Sequence, residues 1–385
     1  MKIAFITTQS IDGSTVSGRI APLAEQLSER HEVHVIVHGQ APKHSSRVTW
    51  HMAGEDPFVR TASGKVRLTG LPLIGRMLRN AWLGAQALKG ISPDAVVVVK
   101  TLPENVLAVW LARQFGGRVR KIVLDVDDFE LSANKLTSLI QRAAVHAAER
   151  MGAVLASHIV VASPFLQDHM QQLTQNAKPV TLIPTGPIGA PQLLPQAASA
   201  SVLTFIGSLS VASGHRVDLL PDILRQVQAV VPEAKLRLIG TGDDVAALKK
   251  QFASLGLEES VLWQEGRFGD SDIAQLLADT AILLDPVDNG ITNRAKSSYR
   301  VMLSLCYGLP VVTSNVGIRS VLLPGEFHAR SFAKPADAGE YAQKIIELLK
   351  HPLSDSERQV LFTQARQFSW PVLAKQYEQV ITAPS

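Results

Sequence analysis

Cysteine occurs once in the 385 residues, at Cys306, so neither an internal disulfide framework nor a cysteine-rich metal site can form. That cysteine falls on the apolar side of a helical pattern, which predicts a packed thiol rather than a nucleophile. Aromatic residues make up 5% of the chain and do not interleave with its basic residues, which argues against nucleic-acid binding. No run approaches the ~20 apolar residues of a membrane span, and the apolar opening Lys2–Thr7 is too short for a signal peptide. A reducing, cytoplasmic setting is the expectation. The glycine fingerprint Gly-x-Gly-x-x-Gly is missing too, which argues against a nicotinamide enzyme.

What is present suits two ordinary domains, each with its own core: 46% hydrophobic and 19% charged residues. The net charge of +4 is unevenly placed. Residues 1–190 hold 20 Lys and Arg against 14 Asp and Glu, an asymmetry that predicts an anionic surface facing one half. The excess concentrates between Asp56 and Asp94, where Arg60, Lys65, Arg67, Arg76, Arg79 and Lys89 meet no acid. Residues 66–89 are also amphipathic, with Leu71, Ile74, Leu78, Trp82, Ala85 and Leu88 on one face. Two readings stay open: a core-packing helix with a basic outer side, or a face lying on anionic lipid headgroups. Pro72 and Gly75 count against one continuous helix.

Strands and helices alternate along the whole chain. Lys2–Thr7, Glu32–His38, Asp94–Thr101, Lys121–Asp128, His158–Ala162 and Val180–Ile183 read as strands of a first Rossmann-like sheet. Gly13, Ser14, Ser17 and Gly18 could let backbone amides approach a phosphate or sugar there, or form an ordinary loop. Residues 184–200 hold four prolines and four alanines and read as a linker. Val202–Ile206, Lys235–Ile239 and Ser260–Gln264 begin a second alternation. The expected domains are 1–186, a linker 187–200, 201–366, and a last helix in 367–385 returning to the first domain.

Residues 281–318 carry the strongest signal. Ala281–Leu284 reads as a buried strand, Val287–Asn293 as a polar loop containing Gly290, and the stretch from Arg294 to Tyr307 as one helix. Val311–Ser314 closes a βαβ unit. Arg294, Lys296 and Arg300 crowd the helix start, and no carboxylate lies between Asp288 and Glu326. Cations at a helix N-terminus are unfavourable unless an anion is expected, so a diphosphate clamp by Lys296 and Arg300, four apart on one face, is weighed against a solvated basic face. Asp125, Asp127 and Asp128 repel one another unless neutralised. Metal binding, helix capping and contact with a sugar hydroxyl each suit them.

The run Asn293-Arg294-Ala295-Lys296, then Tyr299-Arg300, then Tyr307-Gly308-Leu309-Pro310-Val311-Val312 resembles the nucleotide-sugar region of family 4 glycosyltransferases with the GT-B fold. A subgroup of that family also carries an Asp-x-Asp-Asp similar to Asp125–Asp128. The resemblance implies an α/β fold of two Rossmann-like doubly wound domains facing each other across a cleft. It implies transfer of a sugar from a nucleotide diphosphate to a glycan or lipid-linked acceptor, with retained configuration and no metal or other cofactor. Lys296 and Arg300 would stabilise the leaving diphosphate with Arg216 assisting, and Asp127 and Asp128 would lie near the acceptor. Gly207, Ser208 and Arg216 fall where the family contacts diphosphate, with Ser208 in place of the usual Arg and His215 or Arg216 in place of the usual Lys. Gly266, Arg267 and Phe268 fall where it holds the base. Gly18, Gly290, Asn293, Ser297 and Ser304 complete the candidate donor site.

One departure matters. The family's paired glutamates align with Ala295 and Leu303, and an aliphatic Leu303 cannot hydrogen-bond a ribose. Either Ser297, Ser298 or Ser304 takes over, or the donor pose differs, or the chain is a silent GT-B scaffold that binds a nucleotide or a partner protein.

Overall fold

In a computed structural model, all residues are described except 12, 40–46, 62, 63, 118, 135, 137, 188, 196–200, 267–269, 384 and 385. The strands are β1 (Lys2–Ser10), β2 (Glu32–His38), β3 (Thr49–Met52), β4 (Phe58–Thr61), β5 (Gly64–Arg67), β6 (Ala95–Val99), β7 (Lys121–Val126), β8 (His158–Val161) and β9 (Val180–Leu182). They continue as β10 (Val202–Ile206), β11 (Lys235–Ile239), β12 (Val261–Gln264), β13 (Thr280–Leu284), β14 (Val311–Ser314) and β15 (Phe332–Ala333). The chain divides into two compact units: Met1–Gly186 with Trp370–Ser385, and Pro187–Ser369.

The first unit is built on a seven-stranded sheet in the order β3-β2-β1-β6-β7-β8-β9. Every pairing in it is parallel. β6 is buried at all five positions, as its run of valines requires when helices cover both faces. β4 and β5 form a separate antiparallel hairpin. The helix Trp370–Thr382 belongs to this unit although it comes last in the chain. Leu373, Ala374, Tyr377, Val380 and Ile381 enter the same core as Ile3, Phe5 and Val33.

A buried ion pair fastens that helix. Arg19 donates through Nε and Nη2 to the two Asp125 oxygens at 3.0 and 2.9 Å, and the Tyr377 hydroxyl donates to Asp125 Oδ2 at 2.7 Å. Arg19 and Asp125 are both fully buried, so each depends on the other for charge compensation.

Gly70–Ile91 is one continuous helix, contrary to the break expected at Pro72 and Gly75. Pro72 sits in the first turn, where no residue has an i−4 partner to lose. The expected apolar face divides. Ala85 and Leu88 are buried with Leu73, Ala81, Gly84 and Ile91, whereas Leu71, Ile74, Leu78 and Trp82 are exposed.

The second unit is built on a six-stranded parallel sheet, β12-β11-β10-β13-β14-β15. Part of the Pro-rich segment is packed against it. Leu194 accepts from the buried Arg358 guanidinium through its carbonyl, and Gln192 N–H donates to the Cys306 carbonyl. Cys306 itself is buried, which pushes its thiol up to about 12. Among the described residues, no helix is long and apolar enough to cross a membrane.

Candidate active site

In the second unit the expected donor residues gather at the C-terminal ends of β10 and β13, where ligands of parallel α/β sheets bind. The centre is Asp285, the residue after β13, which is fully buried. It accepts hydrogen bonds from Arg300 Nε (2.8 Å), Arg319 Nε (2.7 Å), Ser298 Oγ (2.9 Å) and Thr313 Oγ1 (2.9 Å). Burial pushes its carboxyl up, but Arg319 and Arg300 outweigh that and hold it well below the usual carboxylate range. The rest of the Arg300 guanidinium meets the Ile206 carbonyl through Nη1 at 3.0 Å and His215 Nδ1 through Nη2 at 2.8 Å. Gly207 makes room for it, because a Cβ there would lie 2.8 Å from Arg300 Nη1, and its φ of 138° favours glycine.

This corrects the expected clamp in two respects. The stretch from Arg294 is not one helix: Ile291–Ala295 ends at Lys296, and Ser298 caps a second helix, Tyr299–Tyr307. Lys296 and Arg300 therefore do not share a helix face. Arg300 is also not a solvated cation, being 4% exposed and engaged on three sides. Lys296 is half-buried and donates to the Ser213 carbonyl at 3.0 Å.

Around this centre, Ser208 Oγ lies 3.2 Å from Ser213 Oγ. Gly290 N–H and Asn293 Nδ2 both donate to Asp288 Oδ1 at 2.9 Å. Arg216 is paired with Asp218 through Nε (2.9 Å) and Nη2 (2.7 Å), so the charge expected to assist at a diphosphate is already neutralised locally. Its neighbour His215 is the one that enters the network. Gly266 lies two residues beyond β12 in an extended positive-φ conformation, and Arg267 and Phe268 lie outside the described residues. Ala295 and Leu303, at the positions of the family's glutamates, are buried. Of the three serines offered as substitutes, Ser298 is bonded to Asp285, and Ser304 is fully buried and donates to the Leu309 carbonyl at 2.6 Å. Ser297 is half-buried between the two helices.

In the first unit, Lys100 answers the question posed by the crowded carboxylates. Its ammonium lies 3.2 Å from Asp127 Oδ1, 3.2 Å from Asp128 Oδ2 and 3.1 Å from Glu130 Oε1. Lys100 is the first residue after β6 and has a φ of 71°, a left-handed conformation that a lysine adopts at a cost. Burial pulls its pKa down, but the three carboxylates outweigh this and raise it well above the ordinary value. Burial drives Glu130 up to about 7 despite Lys100. Thr15 Oγ1 donates to Asp127 Oδ2 at 3.0 Å. Asp127 Oδ1 is buried and meets the Lys100 ammonium as an ion pair outside hydrogen-bond geometry. The capping reading fails, because Ser138 caps Leu139–Leu155 and no side chain caps Glu130–Ala133. Among the described residues no group of three or more acidic, His or Cys side chains is arranged to hold a metal ion. Gly18 is buried within a helical turn, Val16–Ile20, rather than in an open loop.

Lys100 and Glu130 were not among the expected site residues. The available signal was one cation ending a run of valines, in a unit whose neighbouring strand ends in three aspartates.

Comparison with known proteins agrees with this architecture. The family described as "Glycosyl transferase 4-like domain" matches residues 15–186, and "Glycosyl transferases group 1" matches residues 200–351. Among curated proteins, none matches significantly. Among solved structures, Anabaena HepE in complex with UDP and glucose aligns over 100% of both chains, with a TM-score of 0.72 and 18% identity. The apo lipopolysaccharide outer core galactosyltransferase WaaB covers 99% of both chains, with a TM-score of 0.70 and 16% identity. The pneumococcal O-GlcNAc transferase GtfA with UDP and GlcNAc covers 99% of this chain and 98% of its own, with a TM-score of 0.69 and 12% identity. The two domain matches between them take in most of the chain, and the fold is GT-B: the protein is a glycosyltransferase.

Proposed function

We propose that the protein transfers a sugar from a nucleotide diphosphate to a glycan or lipid-linked acceptor, retaining the anomeric configuration and using no metal. One observation carries the donor half of this reading. Arg300 and Arg319 share the single carboxylate of Asp285, at 2.7 Å each, so positive charge is in excess at the ends of β10 and β13. Charge that builds on a departing diphosphate is stabilised by such preorganised cations, and Lys296 is less buried than either arginine. Structures of similar fold in complex with UDP support a nucleotide donor. Asp127 and Asp128, with Lys100 as their shared counter-charge, contribute to acceptor binding.

The test is a thermal-shift screen against nucleoside diphosphates, followed by transfer and hydrolysis assays with the matching nucleotide sugars. A ligand that binds the folded form alone, at 100 times its Kd, adds about 2.7 kcal/mol of stability. At least one nucleoside diphosphate is expected to raise Tm and its sugar conjugate to be consumed. A shift without turnover supports the silent scaffold, which the buried Ala295 and Leu303 at the glutamate positions favour. No shift with any diphosphate overturns the donor site.

For the acceptor we favour presentation at an anionic membrane surface. Leu71 (81% exposed), Ile74, Leu78 and Trp82 form an outward stripe along the helix Gly70–Ile91. Trp82 meets the exposed Phe115 edge-on at 5.7 Å. Arg76 and Arg79 flank the stripe and share Glu55, which leaves a net positive charge among the three. The side chains of Arg60, Lys65 and Arg67 lie outside the described residues. Such a face suits headgroups of anionic lipid. Flotation with vesicles containing phosphatidylserine is expected to carry the protein at low salt, less at high salt, and less for Leu71→Ser/Trp82→Ser. Equal flotation of the variant and the unaltered protein removes the face from the account.

A further inference from the structure

Among the described residues four arginines are buried: Arg19, Arg300, Arg319 and Arg358. The first three each meet a carboxylate that is itself fully buried, Asp125 or Asp285. Arg358, 5% exposed, does not. Its Nε donates to the Gly308 carbonyl at 3.0 Å and its Nη2 to the Leu194 carbonyl, both neutral acceptors. Its ion-pair partner, Asp355 Oδ1, lies 3.7 Å from Nη1 on a side chain 91% exposed. Nη1 donates no hydrogen bond among the described residues. Burial therefore wins over Asp355 and lowers the guanidinium's pKa. A charge taken out of water is costly unless it is paired. Arg358 also lines an open groove of about 790 Å³, within the usual size of a ligand site. The groove lies where β10 and β13 begin, at Ser201 and Thr280. Gly207 and Asp285 follow the opposite ends of those strands, so one strand length, about 16 Å, separates groove and donor site. Its walls are aliphatic, with Val230, Ile282, Leu309 and Leu353. Lys350 and Glu233 line it as well, both exposed. Between Pro195 and Ser201, which border it, the sequence contains no carboxylate.

We propose that this groove is a second ligand site, for an amphipathic anion whose apolar body lies on the aliphatic walls and whose single carboxylate head meets Arg358. The head supplies the counter-charge that the fold withholds, in a charge-assisted hydrogen bond from Nη1. The body is needed because the walls are apolar, and covering them removes that surface from water. A nucleotide suits the groove less well. One guanidinium and Lys350, with Glu233 opposing, balance a single negative charge rather than several, and among the described residues no aromatic ring lines the groove to stack a base. The site is separate from the donor site and does not rest on the transferase reading.

The probes are decanoate, decanol as the same body without the charge, and acetate as the charge without the body. Each is added to the full-length protein below the concentration at which it self-associates, and binding is read by calorimetry and by Tm. Decanoate is expected to bind once per chain and raise Tm. Decanol should bind about ten- to a hundredfold more weakly, the range for one hydrogen bond to a charged group, and acetate not at all. Arg358→Met keeps the length of the stem and should erase the difference between decanoate and decanol. That variant also releases the Leu194 and Gly308 carbonyls, so a second one leaves Arg358 in place. Val230→Trp, at a position 47% exposed, should obstruct the groove and weaken decanoate at least tenfold, with the Tm of the ligand-free protein unchanged. Leu71→Ser/Trp82→Ser and added uridine diphosphate should leave decanoate binding as it was. Equal affinity for decanoate and decanol overturns the head contact. Binding that survives Val230→Trp, disappears with the exposed stripe or is displaced by uridine diphosphate puts the ligand elsewhere and overturns the site. Absence of decanoate binding overturns it outright, and the transferase reading is untouched by any of these results.

Discussion

Asp285→Ala is expected to lower the stability of the second unit by about 3–5 kcal/mol, the range for removing one partner of a buried ion pair. The loss is large because a single carboxylate satisfies four groups at once. Arg300 and Arg319 are 4% and 3% exposed, and without Asp285 both hold buried positive charge with no counter-charge facing them. Ser298 and Thr313 lose their acceptor in the same step, and Ser298 also caps the helix that carries Arg300. Hydrogen exchange resolves the effect locally: amides of β13 and β14 should lose protection, and those of β6 and β7 should not. Asp285→Asn keeps an acceptor oxygen and should cost less than Ala. A change below about 1 kcal/mol in β13 and β14 would show that the arginines are held by their backbone carbonyl partners instead.

Lys296→Ala is expected to lower turnover by ~10²-fold or more, the range for one preorganised electrostatic donor, with little change in Tm. Lys296 contrasts with Arg300 here. It is half-buried at the break between two helices and donates to a backbone carbonyl, whereas Arg300 is buried against a carboxylate. Lys296→Arg keeps the charge and should recover part of the rate. Comparing kcat with KM separates the roles: a loss confined to KM means uniform binding, and a loss in kcat means stabilisation that appears in the transition state. Turnover within a few-fold of the unaltered enzyme would remove Lys296 from the chemistry.

Much of the fold is legible in local pattern. Glu32–His38, Val202–Ile206 and Lys235–Ile239 are strands over the residues expected, because short β-branched and apolar runs that place Val33, Val35 and Val37, or Leu236 and Leu238, at every second position leave no competing period. The element that failed is the helix from Arg294. Nothing within a helical turn of Ser298 announces a break; its partner is Asp285, thirteen residues back, which also binds Thr313 and Arg319 further on. Glu130–Ala133 and Leu139–Leu155 are likewise separate helices, with Glu130 held by Lys100 from the end of the neighbouring strand. The hairpin of β4 and β5 and the two-residue β15 carry too few residues for a period to show.

The candidate site was legible by residue type and not by role. Lys296, Arg300, Asp127 and Asp128 were singled out as charges without visible partners. The structure supplies partners drawn from distant positions: Asp285 for Arg300, and Lys100 for the aspartates. His215 and Arg216 are adjacent and locally indistinguishable. Asp218, two residues on, neutralises the arginine and leaves the histidine to Arg300.

The helix Trp370–Thr382 has a consequence for how the chain is made. Its Tyr377 completes the Arg19–Asp125 pair, and its apolar face shares a core with β1 and β2. On the ribosome, those strands emerge before the second unit, and the piece that seals them is synthesised after it. The first unit is therefore made before the second yet completed after it, and for that interval its parallel strands carry an uncovered greasy flank.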